Sequence, residues 1–235
     1  MLAAMLRREF LQWGALGCAT PLMSRAAERA PEVMTVRGLR PAGELGFVLP
    51  HEHVLVDFIG AAEVSPARYD ADVAFAKIRP FVEEAKMLGC ATMMECTPAF
   101  LGRDPRLLVR LSEATGINFV TNTGYYAARQ NKFLPAHALS EDADVLAARW
   151  QREWRDGIEG MGVRPGFIKL GFDAGALSEV AQKLVRAAAR THRASGLTIA
   201  AHTGDDVAAL AQIALLGEEK VAPAAWIWVH AQNAK

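Results

Sequence analysis

Two histidines, His51 and His53, sit two residues apart at the end of the apolar run Phe47-Val48-Leu49-Pro50. Side chains of a β-strand alternate sides, so both imidazoles can reach one ion while Glu52 faces away. Histidine is the commonest metal ligand near neutral pH, and two on one strand end form a compact chelate. The competing reading is a pair of surface or capped histidines, because two-residue spacings also arise by chance. Three further candidates, Lys169, His202 and His230, stand where apolar segments end. Lys169 precedes His202 by 33 residues and His202 precedes His230 by 28, each about one strand-helix unit. The 116 residues from His53 to Lys169 suit three units with one long loop. Four of the six histidines thus fall under one hypothesis, and His137 and His192 are left as ordinary polar residues.

The lysine carries distinct chemistry. Burial in an apolar run makes an ammonium costly and lowers its pKa toward the neutral amine. A neutral amine can take up carbon dioxide as a carbamate, an anionic oxygen ligand able to bridge two metals. The competing reading is a buried lysine paired with a carboxylate such as Asp173, or one snorkelling to solvent.

The elements that must position these groups follow from the pattern. Pro41-Ala42-Gly43 predicts the turn of a short hairpin closing a barrel floor. Strands are predicted at 47–58, 92–97, 117–123, 166–170, 197–202 and 226–230. Helices are predicted at 72–88 with Gly89 as its cap, from Asp104-Pro105 to about 116, at 144–161, at 177–195, and from Asp205 or Asp206 to about 217. A polar connection is expected over 127–140. Alternating strands and helices argue for a parallel sheet with crossover helices, and Thr198-Ile199-Ala200-Ala201 suits a strand buried on both faces. The fold class is therefore α/β, a (β/α)8 TIM-type barrel of the metal-dependent hydrolase kind. It is incomplete, with about six units counted where a closed barrel takes about 250 residues for eight. The C-terminal strand ends of such a barrel converge on one mouth, which would bring the five candidates together.

Apolar content of 51% and charged content of 22% describe a globular chain. Lys plus Arg and Asp plus Glu are 26 each, so there is no electrostatic case for nucleic acid as a partner. Residues 1–30 read as a twin-arginine export signal, with Arg7-Arg8-Glu9-Phe10-Leu11 ahead of an apolar stretch. The alternative is an ordinary amphipathic helix. The signal reading implies a periplasmic or secreted protein. No later stretch of about 18 uninterrupted apolar residues occurs, so no membrane span is expected after cleavage. Cys18 would leave with the signal and is a poor lipidation site. Cys90 and Cys96, roughly 20 Å apart on one extended segment, are too far apart to bridge and read as buried thiols.

Several segments resemble the phosphotriesterase family of the amidohydrolase superfamily. They are Thr35-Val36-Arg37-Gly38, Leu45 through His53, Gly102-Arg103-Asp104-Pro105, Thr123-Gly124-Tyr125-Tyr126, Ile168-Lys169 and Ala201-His202-Thr203-Gly204. The resemblance runs from about Met34 to the C-terminus. It implies that His51 and His53 bind the more buried of two divalent metal ions, zinc foremost, and that His202 and His230 bind the other. Lys169, as a carbamate formed with carbon dioxide, would bridge them and serve the catalysis. A metal-bridged hydroxide would then hydrolyse a small-molecule phosphotriester, lactone or carboxylic ester. The family pattern also asks for an aspartate at the end of strand eight, and no position here matches it. A C-terminally truncated protein is therefore expected, the alternative being a shortened variant that covers two open strand edges as a homodimer. Other readings are an inert remnant that retains partial metal binding, and a related C–N hydrolase. Glu95 is a candidate for orienting a ligand histidine. Tyr125, Tyr126 and Trp150 are candidate pocket walls.

Overall fold

A computed structural model describes residues 31–233. The predicted export signal, with Cys18, lies outside the described residues. A hairpin of β1 (Glu32–Thr35) and β2 (Gly38–Pro41) comes first, its turn at Val36-Arg37. Pro41-Ala42-Gly43 instead leads into a single 3-10 turn, Ala42–Glu44, so the predicted hairpin sits one turn too late. Proline at 41 ends a strand well, but Gly38, at φ +103, supplies the tight reversal that residues 41–43 do not. The hairpin does lie at the floor: Val36 N donates to Phe119 O near the start of a barrel strand.

The strands that follow are β3 (Phe47–Glu52), β4 (Cys90–Glu95), β5 (Asn118–Val120), β6 (Asn122–Thr123), β7 (Phe167–Phe172), β8 (Thr198–Thr203) and β9 (Trp226–Val229). They pair in parallel in the order β3-β4-β5 and β6-β7-β8-β9. The stretch predicted as one strand, 117–123, is broken at Thr121, so β5 and β6 are two halves of one barrel strand. Six strand positions result, joined by helical crossovers, and among the described residues β3 and β9 each pair on one side alone. The fold is an α/β barrel left unclosed. The first strand ends at Glu52 rather than near 58, since beyond it the chain turns away as the loop that lines the mouth.

The crossovers are α1 (Ala71–Met87), α2 (Pro105–Thr115), α3 (Ala136–Ser140), α4 (Ala143–Asp156), α5 (Glu179–Ser195) and α6 (Asp206–Glu218). Five of the six starts are fixed by a side-chain cap: Asp70, Asp104, Asp142, Ser178 and Asp205 accept from the first free amides of α1, α2, α4, α5 and α6, while α3 follows Pro135 without one. Pro105 occupies the first turn of α2, and glycines at positive φ end α2 and α5 at Gly116 and Gly196. Leu107, Leu108 and Leu111 bury one face of α2 against β4 and β5, each burial stabilising by about 1.5–3 kcal/mol. A larger core joins α4 and α5 to β7 and β8. A third packs Cys96, Val120, Phe167 and Ala200 inside the sheet. Cys90 and Cys96 are free and buried.

Two expectations are corrected. The predicted polar connection 127–140 contains α3 and buries Phe133, Leu134 and Ala138, so it is a packed segment. The helix predicted to 161 ends at Asp156, where Gly157 at φ +93 starts a separate 3-10 turn. No helix among the described residues is long and apolar enough to cross a membrane.

Candidate functional site

The C-terminal ends of β3, β7, β8 and β9 meet around a cavity of about 240 Å³. Its wall includes all five residues singled out by the sequence: His51, His53, Lys169, His202 and His230. The imidazole Nε2 atoms of His51 and His53 lie 3.1 Å apart. Two donors on a tetrahedral ion with bonds of about 2.05 Å would be about 3.3 Å apart, so this pair already has the separation of two ligands on one centre. The ring of His230 is 4.9 Å from that of His51 and 4.9 Å from that of His202. His230 stands one residue beyond β9, its backbone in the left-handed region at φ 70, which turns its ring toward the other histidines. Among the described residues no three His, Cys, Asp or Glu side chains form a finished metal cluster. What converges is a set of imidazoles on a lysine.

Burial governs the charge of this site. It pushes His51 down to about 3, with the Lys169 ammonium and the neighbouring histidines adding to the effect. His53 and His202 fall to about 4 for the same first two reasons, and His230 is lowered also. The imidazoles are therefore neutral near pH 7, the form that can donate a lone pair. Lys169 is 1% exposed, and burial lowers it to about 8 against a weak opposing influence of Cys96 and Glu95. Asp173, the carboxylate partner considered from sequence, is exposed and accepts instead from the backbone amides of Arg129 and Gln130 at 2.8 and 3.0 Å. Gly124, at φ +108, brings the end of β6 against β7 at the lysine itself, since a Cβ there would lie 2.3 Å from Lys169 O.

His53 is tied from behind. Its Nδ1 lies 2.9 Å from Thr97 Oγ1, which leaves Nε2 facing the cavity. Glu95 Oε1 accepts from Val54 N at 3.3 Å and Thr97 N at 3.2 Å, so Glu95 holds the two segments that hold His53. Its Oε2 is buried without a partner, and burial raises the carboxyl to about 7. Asn122 Nδ2 donates to Glu95 O and Thr97 O at 2.9 and 3.0 Å. Arg103, 3% exposed, donates to Asn122 O at 2.6 Å and makes a bidentate pair with Glu153, whose other contact is the Thr123 hydroxyl.

The Gly-Arg-Asp-Pro segment thus gains a physical account. Gly102 at φ +112 passes the backbone of Val56-Asp57 so closely that a Cβ would lie 2.8 Å from Asp57 N. Arg103 bolts the mouth loops to α4, Asp104 caps α2, and Pro105 starts it. Sequence reasoning read this segment as a family mark and a helix cap, and missed Thr97, Asn122 and Arg103 as supports. The cap was visible locally, whereas the Arg103–Glu153 pair joins residues 50 apart.

Tyr126 lines the histidine cavity, its ring 5.4 Å from that of His202. Tyr125 does not: the next residue along an extended chain faces the opposite way. It bonds to His137 Nε2 at 2.9 Å and packs on Trp150, which is 1% exposed and lines neither cavity wall. Trp150 is therefore packing behind the histidine site rather than a pocket wall, whereas Tyr125 is a wall of a different cavity. A larger cavity of about 460 Å³ lies on that outer side, among Leu55, Tyr69, Phe100, Arg103, Tyr125 and Glu153. Arg103 is paired there with Glu153 and Arg68 with Asp57, so size alone does not make it the reactive site. His192 Nδ1 donates to Leu197 O, as an ordinary polar residue.

The profile of the phosphotriesterase family matches residues 31–233. An aryldialkylphosphatase of Saccharolobus solfataricus is 31% identical over 181 residues, 77% of this chain and 57% of that protein. The phosphotriesterase homology protein of Escherichia coli is 31% identical over 172 residues, 73% of this chain and 57% of that protein. Among solved structures, a double mutant of organophosphorus hydrolase from Deinococcus radiodurans superposes with a TM-score of 0.71 at 32% identity. That match covers 83% of this chain and 60% of the other. The chain spans little more than half the length of the curated relatives it matches.

Proposed function

The chain belongs to the phosphotriesterase family, and from that footing we propose that the histidine cavity is the active site of a metal-dependent hydrolase of a phosphotriester, lactone or carboxylic ester. The observation that carries this reading is the convergence of four neutral imidazoles on a buried lysine. His51 and His53 would hold one divalent ion, His202 and His230 a second, and Lys169 as a carbamate would bridge them. Imidazole and oxygen donors suit zinc first, with manganese, cobalt or iron as alternatives. Ions held there supply a nucleophile from water near neutral pH and polarise the phosphoryl or carbonyl oxygen of the substrate.

The chain's own residues prepare for this. Burial keeps a useful share of Lys169 as the free amine near pH 8. Its nitrogen lone pair bonds to the carbon of carbon dioxide, one proton leaves to solvent, and the carbamate carries one negative charge. Thr97 fixes the ring of His53 so that Nε2, not Nδ1, faces the cavity. Val56, Phe58, Leu101 and Phe133 form the apolar side that receives the organic part of the ester. The twin-arginine pattern at Arg7-Arg8 supports a periplasmic or secreted location.

A second reading, an inert metal-holding protein, is favoured by the open sheet, whose β3 and β9 each pair on one side alone among the described residues. Metal content and turnover of paraoxon and of a lactone, measured after reconstitution with zinc and bicarbonate, separate the two. Lys169→Ala should lose bound metal and turnover together, and short carboxylic acids should partly restore both. Metal stoichiometry and turnover unchanged in Lys169→Ala would defeat the bridging role. Lysine-dependent metal binding with no ester turnover would replace the hydrolase reading by the inert one.

A further inference from the structure

We infer that Arg129 is the specificity-determining residue of this cavity and selects substrates that carry an anionic group beside an apolar one. The inference rests on the hydrolase reading and names its substrate class. Arg129 lines the mouth of the histidine cavity, which it shares with Lys169, neutral imidazoles and the apolar residues Val56, Phe58, Leu101 and Phe133. Among the described residues that line this wall, Arg129 is the one permanently cationic side chain, and Asp173 acts on His202 and Tyr126 from beside it. The guanidinium of Arg129 is in no ion pair among the described residues. The nearby carboxylate, Asp173, is committed to the amides of Arg129 and Gln130.

The backbone that presents this arginine is held in an uncommon conformation. Arg129, Gln130 and Asn131 follow one another at φ 64, 57 and 63, all in the left-handed region. Each such non-glycine residue costs about 1–2 kcal/mol, so the run persists because Asp173 clamps it from the loop after β7. That loop begins on the strand of Lys169, and the clamp therefore sets Arg129 relative to the lysine. An arginine offers a carboxylate, sulfonate or phosphate a forked pair of donors, which an ester carbonyl cannot match in strength.

The test compares two esters of equal length, 4-nitrophenyl monosuccinate with its terminal carboxylate and 4-nitrophenyl succinamate with a neutral amide there. Alongside it, calorimetry measures succinate binding to the zinc-loaded chain. Wild type should favour the carboxylate ester in kcat/KM by about tenfold or more. Arg129→Ala should abolish the preference and weaken succinate about tenfold at unchanged metal content, while Arg129→Lys keeps part of both. Equal use of the two esters by wild type, or a preference intact in Arg129→Ala, overturns the inference. Succinate binding that depends on Arg129 without turnover of either ester sinks the hydrolase reading and leaves the anion site standing. Turnover without any dependence on Arg129 does the reverse.

Discussion

Lys169 and His53 face one cavity, yet the chain holds them by different means. Lys169 belongs to β7, a strand paired on both sides and buried at all six positions. His53 follows β3, paired with β4 alone, where Phe47 is 64% exposed. The central residue is placed by two backbone ladders. The edge residue is placed by side chains: Thr97 on its ring, Glu95 on the adjoining amide, Asn122 and Arg103 behind them. The difference teaches that equal candidates for one site are unequally protected, and that the edge half depends on residues with no chemistry of their own.

Acid should have the largest effect, and it acts on the edge histidines as well as on those of the inner strands. In the metal-free chain the folded histidines titrate at about 3 to 4, against 6.5 when unfolded. Between those values the unfolded state binds more protons, so stability falls as pH drops from 6.5 toward 4. Urea midpoints across this window should show the fall, and Lys169→Met should lessen it by removing the ammonium that opposes imidazole protonation. A flat profile would contradict the neutral-imidazole site.

Arg103→Ala comes next, with an expected loss of about 1–3 kcal/mol, because Asn122 O loses its buried donor and Glu153, 24% exposed, loses its cation. Chemical denaturation measures it, and a loss below about 1 kcal/mol would mean that water or another cation takes over. Thr97→Val sharpens the comparison further, since it removes the hydroxyl behind His53 and nearly preserves volume. Zinc affinity should drop about tenfold or more, with stability changed by about 1 kcal/mol. Unchanged affinity would show that an edge histidine needs no tether. The smallest effect belongs to His137→Ala, which breaks the bond to Tyr125 on the outer side of the wall. It should cost about 1 kcal/mol and leave metal content untouched; altered metal content would join the two cavities functionally.

The sequence was most legible where one residue type has one local job. Asp104-Pro105 marked a helix start, Gly89 stands just past a helix end, and apolar runs ending in His or Lys marked the mouth. It was less legible where the deciding partner is distant. Just after the break at Thr121, Asn122 donates to the carbonyls of 95 and 97, contacts that no local pattern announces. The packed segment 127–140 was mistaken for a polar loop because Phe133 and Leu134 carry no period of their own. The side chosen by Tyr125 against Tyr126 depends on strand parity at a strand end, where a shift of one residue exchanges the two.

The strand order has a kinetic consequence. Every barrel strand pairs with its neighbours in sequence, from β3 through β9. No pairing among the described residues waits for a distant segment, so loop-closure entropy is met one unit at a time. The chain can therefore assemble from its N-terminal side as it emerges during synthesis, each strand-helix unit docking on the one before it. The lysine, the fourth strand position of six, is enclosed only after β8 arrives.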